Sequence, residues 1–74
     1  MAKIKLLGYP AVVAGFKEKE IKIEGKARIR EVVNFKKEIN EDRIIVLVNH
    51  KPATLNTEIT DEDYVLIVPV IGGG

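Results

Sequence analysis

Two apolar runs, Ile44-Ile45-Val46-Leu47-Val48 and Tyr64-Val65-Leu66-Ile67-Val68-Pro69-Val70-Ile71, constrain this chain more than any other feature. Branched and aromatic side chains fit a pleated surface, so both runs read as strands, and their failure to alternate puts apolar residues on both faces. A chain of 74 residues has room for one domain, with one sheet and one main helix. A helix covers one face of a sheet, so strands exposed on the other face should alternate apolar with polar residues. Unless the loop at residues 10–16 or a homodimer contact covers the surplus, part of these two strands faces outward, and a contiguous apolar patch of that kind marks a partner.

The rest of the chain does alternate or change period. Lys3-Ile4-Lys5-Leu6-Leu7 and Glu20-Ile21-Lys22-Ile23-Glu24 read as half-buried strands ending at Gly8 and Gly25, with Tyr9-Pro10 and Gly15 marking a loop between them. From Ala27 the apolar positions Ile29, Val32, Val33, Phe35 and Ile39 fall on one side of a helix. No capping residue precedes that helix. Lys36 and Lys37 suit its negative pole, and Asn40 offers a left-handed stop. A tight turn is expected at Asn49-His50, an edge segment at Lys51-Pro52-Ala53, and a polar turn at Thr60-Asp61-Glu62-Asp63. The expected order is β-β-α-β-(short β)-β, with residues 1–71 as the domain and residues 72–74 as a flexible glycine tail.

Composition excludes several functions. Lys plus Arg number 12 against 11 acidic residues, and a net charge of +1 gives no electrostatic reason to bind nucleic acid. Cysteine and serine are absent and His50 is the one imidazole, so neither a metal site nor a familiar nucleophilic triad can be assembled. His50, in a turn with no neighbouring constellation, reads as a surface residue. The mixed-sign stretch Lys17, Glu18, Lys19, Glu20, Lys22, Glu24 reads as a solvated strand face. The N-terminus alternates charged and apolar residues and is no signal peptide, so the expected location is the cytoplasm, with no membrane partner.

The chemical group that remains is the end of the chain. Gly72-Gly73-Gly74 follows the last apolar strand with no spacer. Lacking Cβ atoms, these residues can thread a narrow channel into another enzyme's site. Glycines at a terminus are equally at home as a frayed end, and their place beside an apolar strand is what favours a role. Ordering them would cost about 1–2 kcal/mol per residue, which contacts to the folded body must offset.

The element order, the Val48-Asn49 step after the helix, and the closing stretch from Asp61-Glu62-Asp63 through Val68-Pro69-Val70-Ile71 to Gly72-Gly73-Gly74 resemble the MoaD/ThiS family of ubiquitin-like sulfur carriers. The resemblance implies an α+β fold of the β-grasp type, a mixed sheet of four to five strands with one main helix on one face. It also implies a protein cosubstrate with no catalytic site and no cofactor of its own. A partner enzyme spends ATP to adenylate Gly74, and a sulfur donor then converts it to a thiocarboxylate. Gly72 and Gly73 thread the partner, and Val68, Pro69, Val70 and Ile71 dock the sulfur-accepting synthase. The free protein is expected to be a monomer. Molybdopterin, thiazole and thiolated-tRNA synthesis are the destinations such carriers serve. Asp61-Glu62-Asp63 stands where the family often has Asp-Gly-Asp, and a single Pro69 where the molybdopterin branch often has Pro-Pro. A modifier conjugated to lysines through the same tail, and a passive interaction domain, are the rival readings.

Overall fold

A computed structural model of the chain describes residues 1–70, and Ile71, Gly72, Gly73 and Gly74 lie outside the described residues. The strand expected last in the chain is built into the middle of the sheet. Strands β1 (Ala2–Leu6), β2 (Glu18–Ile21), β4 (Ile44–Val48), β5 (Lys51–Ala53) and β7 (Tyr64–Pro69) form one five-stranded sheet in the order β2-β1-β7-β4-β5. β1 and β7 run parallel while the other neighbours are antiparallel, so the sheet is mixed. A small second sheet pairs β3 (Ala27–Arg28) with β6 (Glu58–Ile59). This is the expected β-grasp architecture.

Alternation within each strand decides the faces. Ile4 and Leu6 of β1 pair with Val65 and Ile67 of β7, and Ile44 and Val46 of β4 lie on the same side; all are buried. Ile29, Val33, Leu55 and Ile59 close over them to complete the core. The edges match their composition: Pro52 lies on edge strand β5, and the charged β2 lies on the other edge. β2 begins two residues earlier than its alternation suggested and ends at Ile21, yet Ile23 stays buried because its amide donates to the Asp61 carboxylate at 2.9 Å.

The helices depart from expectation. The segment from Ala27 to Ile39 forms only one turn, α2 (Ile29–Val32, 4 residues). The Glu31 carboxylate accepts the Arg28 amide at 2.8 Å at its start, and Val33 is already extended. The supposed loop after Gly8 is instead α1 (Tyr9–Ala14), which buries Pro10, Ala11 and Ala14. The residues read as loop markers are its boundaries. Pro10 stands in the first turn, where a missing N–H costs nothing, and Gly15 closes the end in the left-handed conformation at φ 85°. The two departures share a cause. The Lys36 amide donates to the Val13 carbonyl at 3.0 Å, satisfying an end of α1 with a backbone group that a continued α2 would have used internally. Phe35 and Ile39 still pack on the core, but from an irregular strap. Asn40 is extended rather than left-handed, and its side chain accepts from Asp42 N–H to start a 3-10 turn at Glu41–Arg43.

Asn49 (φ 51°) and His50 (φ 70°) make a two-residue turn with both central residues left-handed, the hairpin geometry that matches strand twist. Asn49 then ties that turn to the start of β7. Its Nδ2 donates to Asp63 Oδ1 at 2.8 Å, and its Oδ1 accepts the Tyr64 amide at 2.9 Å. Asp63 Oδ2 in turn accepts the Thr60 amide at 2.7 Å, closing the turn before β7 with no left-handed residue, so Asp61-Glu62-Asp63 needs no glycine there. The Thr60 amide first, then the Asn49 side chain, hold the Asp63 carboxyl below its usual 3.8.

A carboxyl with a depressed folded pKa contributes stability that is present above its unfolded value and lost as pH falls through the folded value. Thermal melts should therefore show Asp63→Asn less stable than the parent at pH ~7, with the gap narrowing below about pH 4 as the parent's own carboxylate protonates. A gap independent of pH would contradict this role.

Candidate functional site

The candidate site is the end of β7 and the sheet face it shares with β4. Because neighbouring residues alternate, the expected docking segment divides between the two faces. Val68 joins Leu66 on the face away from the helices, opposite Ile45 and Leu47 of β4. Pro69 turns the other way, onto Gly8 at the start of α1. Val70, one residue past the strand, is 46% exposed, and its amide donates to the Arg43 carbonyl at 2.9 Å. Ile71 of the docking segment, together with the threading residues Gly72 and Gly73 and the reactive Gly74, lies outside the described residues.

The face that carries Val68 is apolar, and none of the described helices or loops covers it. Both α1 and α2 pack into the buried core on the opposite side of the sheet. Ile45 is 42% exposed, and Leu47, Leu66 and Val68 are half-buried. The register places Ile45 across from Val68 and Leu47 across from Leu66, forming a continuous patch with Pro52 beside Leu47 on β5. Toward β1 the patch gives way to Lys3 and Lys5, which pair with Glu20 and Glu18 on the same face. The geometry is that of an interface, an apolar centre with a charged border. His50, at the far end, has its ring 5.8 Å from that of Tyr64 and meets no catalytic partner. Among the described residues no group of His, Asp and Glu is arranged to hold a metal, and no helix is long and apolar enough to cross a membrane.

Two supports of the tail root were not singled out in the sequence. Gly8 adopts φ 65°, ψ −144°, a region essentially confined to glycine, and a Cβ there would stand 2.9 Å from Pro69 Cγ. Arg43 contributes through its backbone carbonyl, which no side-chain pattern reveals. The glycine itself was visible, but only as the end of a strand. Gly8→Ala should lower stability by on the order of 1–3 kcal/mol, or several degrees or more in the melting temperature. Replacing Pro69 by Ala in the same chain should recover part of the loss; no recovery would mean that backbone strain alone is at work.

No curated protein sequence matches this chain. Several solved structures do. SAMP1 from Haloferax volcanii superposes with a TM-score of 0.70 at 23% identity, covering 99% of this chain and 98% of that one. A second structure of the H. volcanii small archaeal modifier protein 1 gives a TM-score of 0.70 at 21% identity, covering 95% and 97%. A Pyrococcus furiosus protein, provisionally assigned as molybdopterin converting factor subunit 1, gives a TM-score of 0.68 at 26% identity, covering 95% and 97%. The family model of the ThiS family matches residues 4–74, so nearly the whole chain, and this protein belongs to the ThiS family.

Proposed function

We propose that this protein is a sulfur carrier whose reactive group is the Gly74 carboxylate and whose folded body serves to present it. The observation that carries the reading is the uncovered apolar face of β4 and β7, because β7 leads directly toward the three glycines. An α-carboxyl has a pKa of about 3.3–3.7, so at neutral pH it is an anion and a poor electrophile. A partner enzyme must activate it.

In the first step the Gly74 carboxylate oxygen attacks the α-phosphorus of ATP, forming an acyl adenylate and releasing pyrophosphate. In the second, sulfide attacks the acyl carbon, the bond to AMP breaks with AMP as the leaving group, and a thiocarboxylate remains. The thiocarboxylate sulfur is then available to a sulfur-accepting enzyme. This chain supplies no acid, base or metal to either step; it binds, and it holds the tail root through Gly8, Pro69 and the Arg43 carbonyl. Gly72 and Gly73 give the tail the slenderness to enter a partner's site. Ile71, beside them, would extend the apolar contact.

The full chain incubated with ATP, a sulfide donor and its activating enzyme should gain the mass difference between sulfur and oxygen, located at Gly74. The chain lacking Gly74 should melt at the same temperature and gain nothing. Equal loading of the truncated chain would overturn the assignment, and a parent that is never loaded, with partner binding intact after removal of Gly73 and Gly74, would favour a passive interaction domain. Transfer to a lysine amine would instead leave a diglycine remnant on target proteins. For the docking face, Val70→Asp and Ile45→Asp change exposed positions and should spare folding while weakening the complex with the activating enzyme roughly tenfold or more, the loss expected when a buried contact is replaced by an unpaired charge. Unchanged affinity in a calorimetric titration would exclude this face.

A further inference from the structure

On the helix side of the sheet, α1 and the end of β1 enclose a groove of about 620 Å3 that the proposed sulfur chemistry does not use. Leu6 and Ala11 form its floor, and Leu7, Val12 and Phe16 its walls. Leu7 is 46% and Val12 78% exposed, a high exposure for branched aliphatic side chains bordering a concave surface. The volume falls in the range of ligand sites, and the lining follows their usual pattern of apolar walls with few polar groups.

Charge around the groove has one sign. Lys17 lines it, Lys19 Nζ lies 5.2 Å from the centroid of the Phe16 ring, and Lys36 Nζ reaches Gly15 at the groove's end. Among the described residues none of these three ammonium groups is within 4.0 Å of a carboxylate. The acidic residues of the adjoining strand are no counterweight, because Glu18 and Glu20 pair with Lys5 and Lys3 on the opposite face of the sheet.

We propose that this groove docks an acidic peptide segment of a partner protein, one with a single aromatic or branched aliphatic anchor flanked by Asp or Glu. The anchor fills the recess between Val12 and Phe16, and the flanking carboxylates meet Lys17, Lys19 and Lys36. A membrane surface fits less well, since the apolar element is a recess and not a protruding wedge. A second copy brings a net charge of +1 rather than the acidic surface these lysines call for. Gly8 lines the groove and also touches Pro69, so the bound peptide lies beside the tail root while the face of Ile45, Leu66 and Val68 stays free. Two partners could therefore hold the carrier at once.

The test is selection of a random dodecapeptide phage library on the immobilised full chain, followed by titration of the enriched peptides. The parent is compared with Val12→Asp and with the double variant Lys17→Glu, Lys36→Glu; every altered side chain is exposed, and melts check folding. The expected result is a shared anchor flanked by acidic residues, affinity lowered tenfold or more by each variant, and binding that weakens with added salt. No consensus, a consensus without acidic residues, or affinity unchanged in the double variant would overturn the proposal. So would binding of the parent to phosphatidylcholine–phosphatidylglycerol vesicles that the same substitutions abolish, or burial of α1 in a concentration-dependent dimer. Neither ATP nor Gly74 enters this experiment, so its failure leaves the carrier reading standing, and failure of sulfur loading leaves the groove untouched.

Discussion

The insertion of β7 between β1 and β4 is the constraint on which the rest of this structure depends. It pairs in parallel with the first strand and antiparallel with the fourth, so the sheet cannot close until the last strand arrives. Its buried residues, Val65 and Ile67, meet Ile4 and Leu6 on one side and Val46 on the other, which makes them the joint between the two halves of the chain. The Asn49 side chain acts at the same place: it donates to Asp63 and accepts the Tyr64 amide, tying the β4–β5 turn to the start of β7 and so supporting its register. The strand that holds the fold together is therefore also the last strand of the chain.

A central strand has two faces, and this chain uses them differently. The helices, the 33–40 strap and the small second sheet lie over one face. The other is left apolar at Ile45, Leu47, Leu66 and Val68 and charged toward β1. The division explains why neither apolar run alternates. In a domain of this size the core needs only half of those side chains, and the remaining half is excess that folding alone does not require.

That division was partly legible in the sequence. The two runs, the tight Asn49-His50 turn, the proline-bearing edge and the succession of the five main strands along the chain followed from local patterns whose causes are themselves local, whereas the place of β7 in the middle of the sheet and the short pair β3-β6 did not. The helices were not legible in the same way. Ile29, Val32, Val33, Phe35 and Ile39 are all apolar and all contact the core, but the spacing of a helix is also met by one helical turn followed by a strap that packs as it goes. The tie from Lys36 to Val13 is a backbone contact between segments distant in sequence, and no side-chain period announces it. Pro10 and Gly15 were seen and given the wrong meaning, since the same residues break a chain and bound a short helix. At the site, Val68, Pro69 and Val70 were identified as a group, whereas their separation onto two sides required the register. The glycines that carry the proposed chemistry lie outside the described residues, so their role rests on family membership and on the surface beside them.

The most direct measurement is methyl cross-saturation by nuclear magnetic resonance on the full chain bound to its activating enzyme, with the side-chain methyls of isoleucine, leucine and valine observed. The account predicts that saturation reaches Ile45, Leu47, Leu66 and Val68 and spares Ile4, Ile29 and Ile67, which are fully buried in the core between sheet and helices. Saturation confined to the helix side, or absent from all four residues of the open face, would contradict the claim that this face presents the tail to its partner.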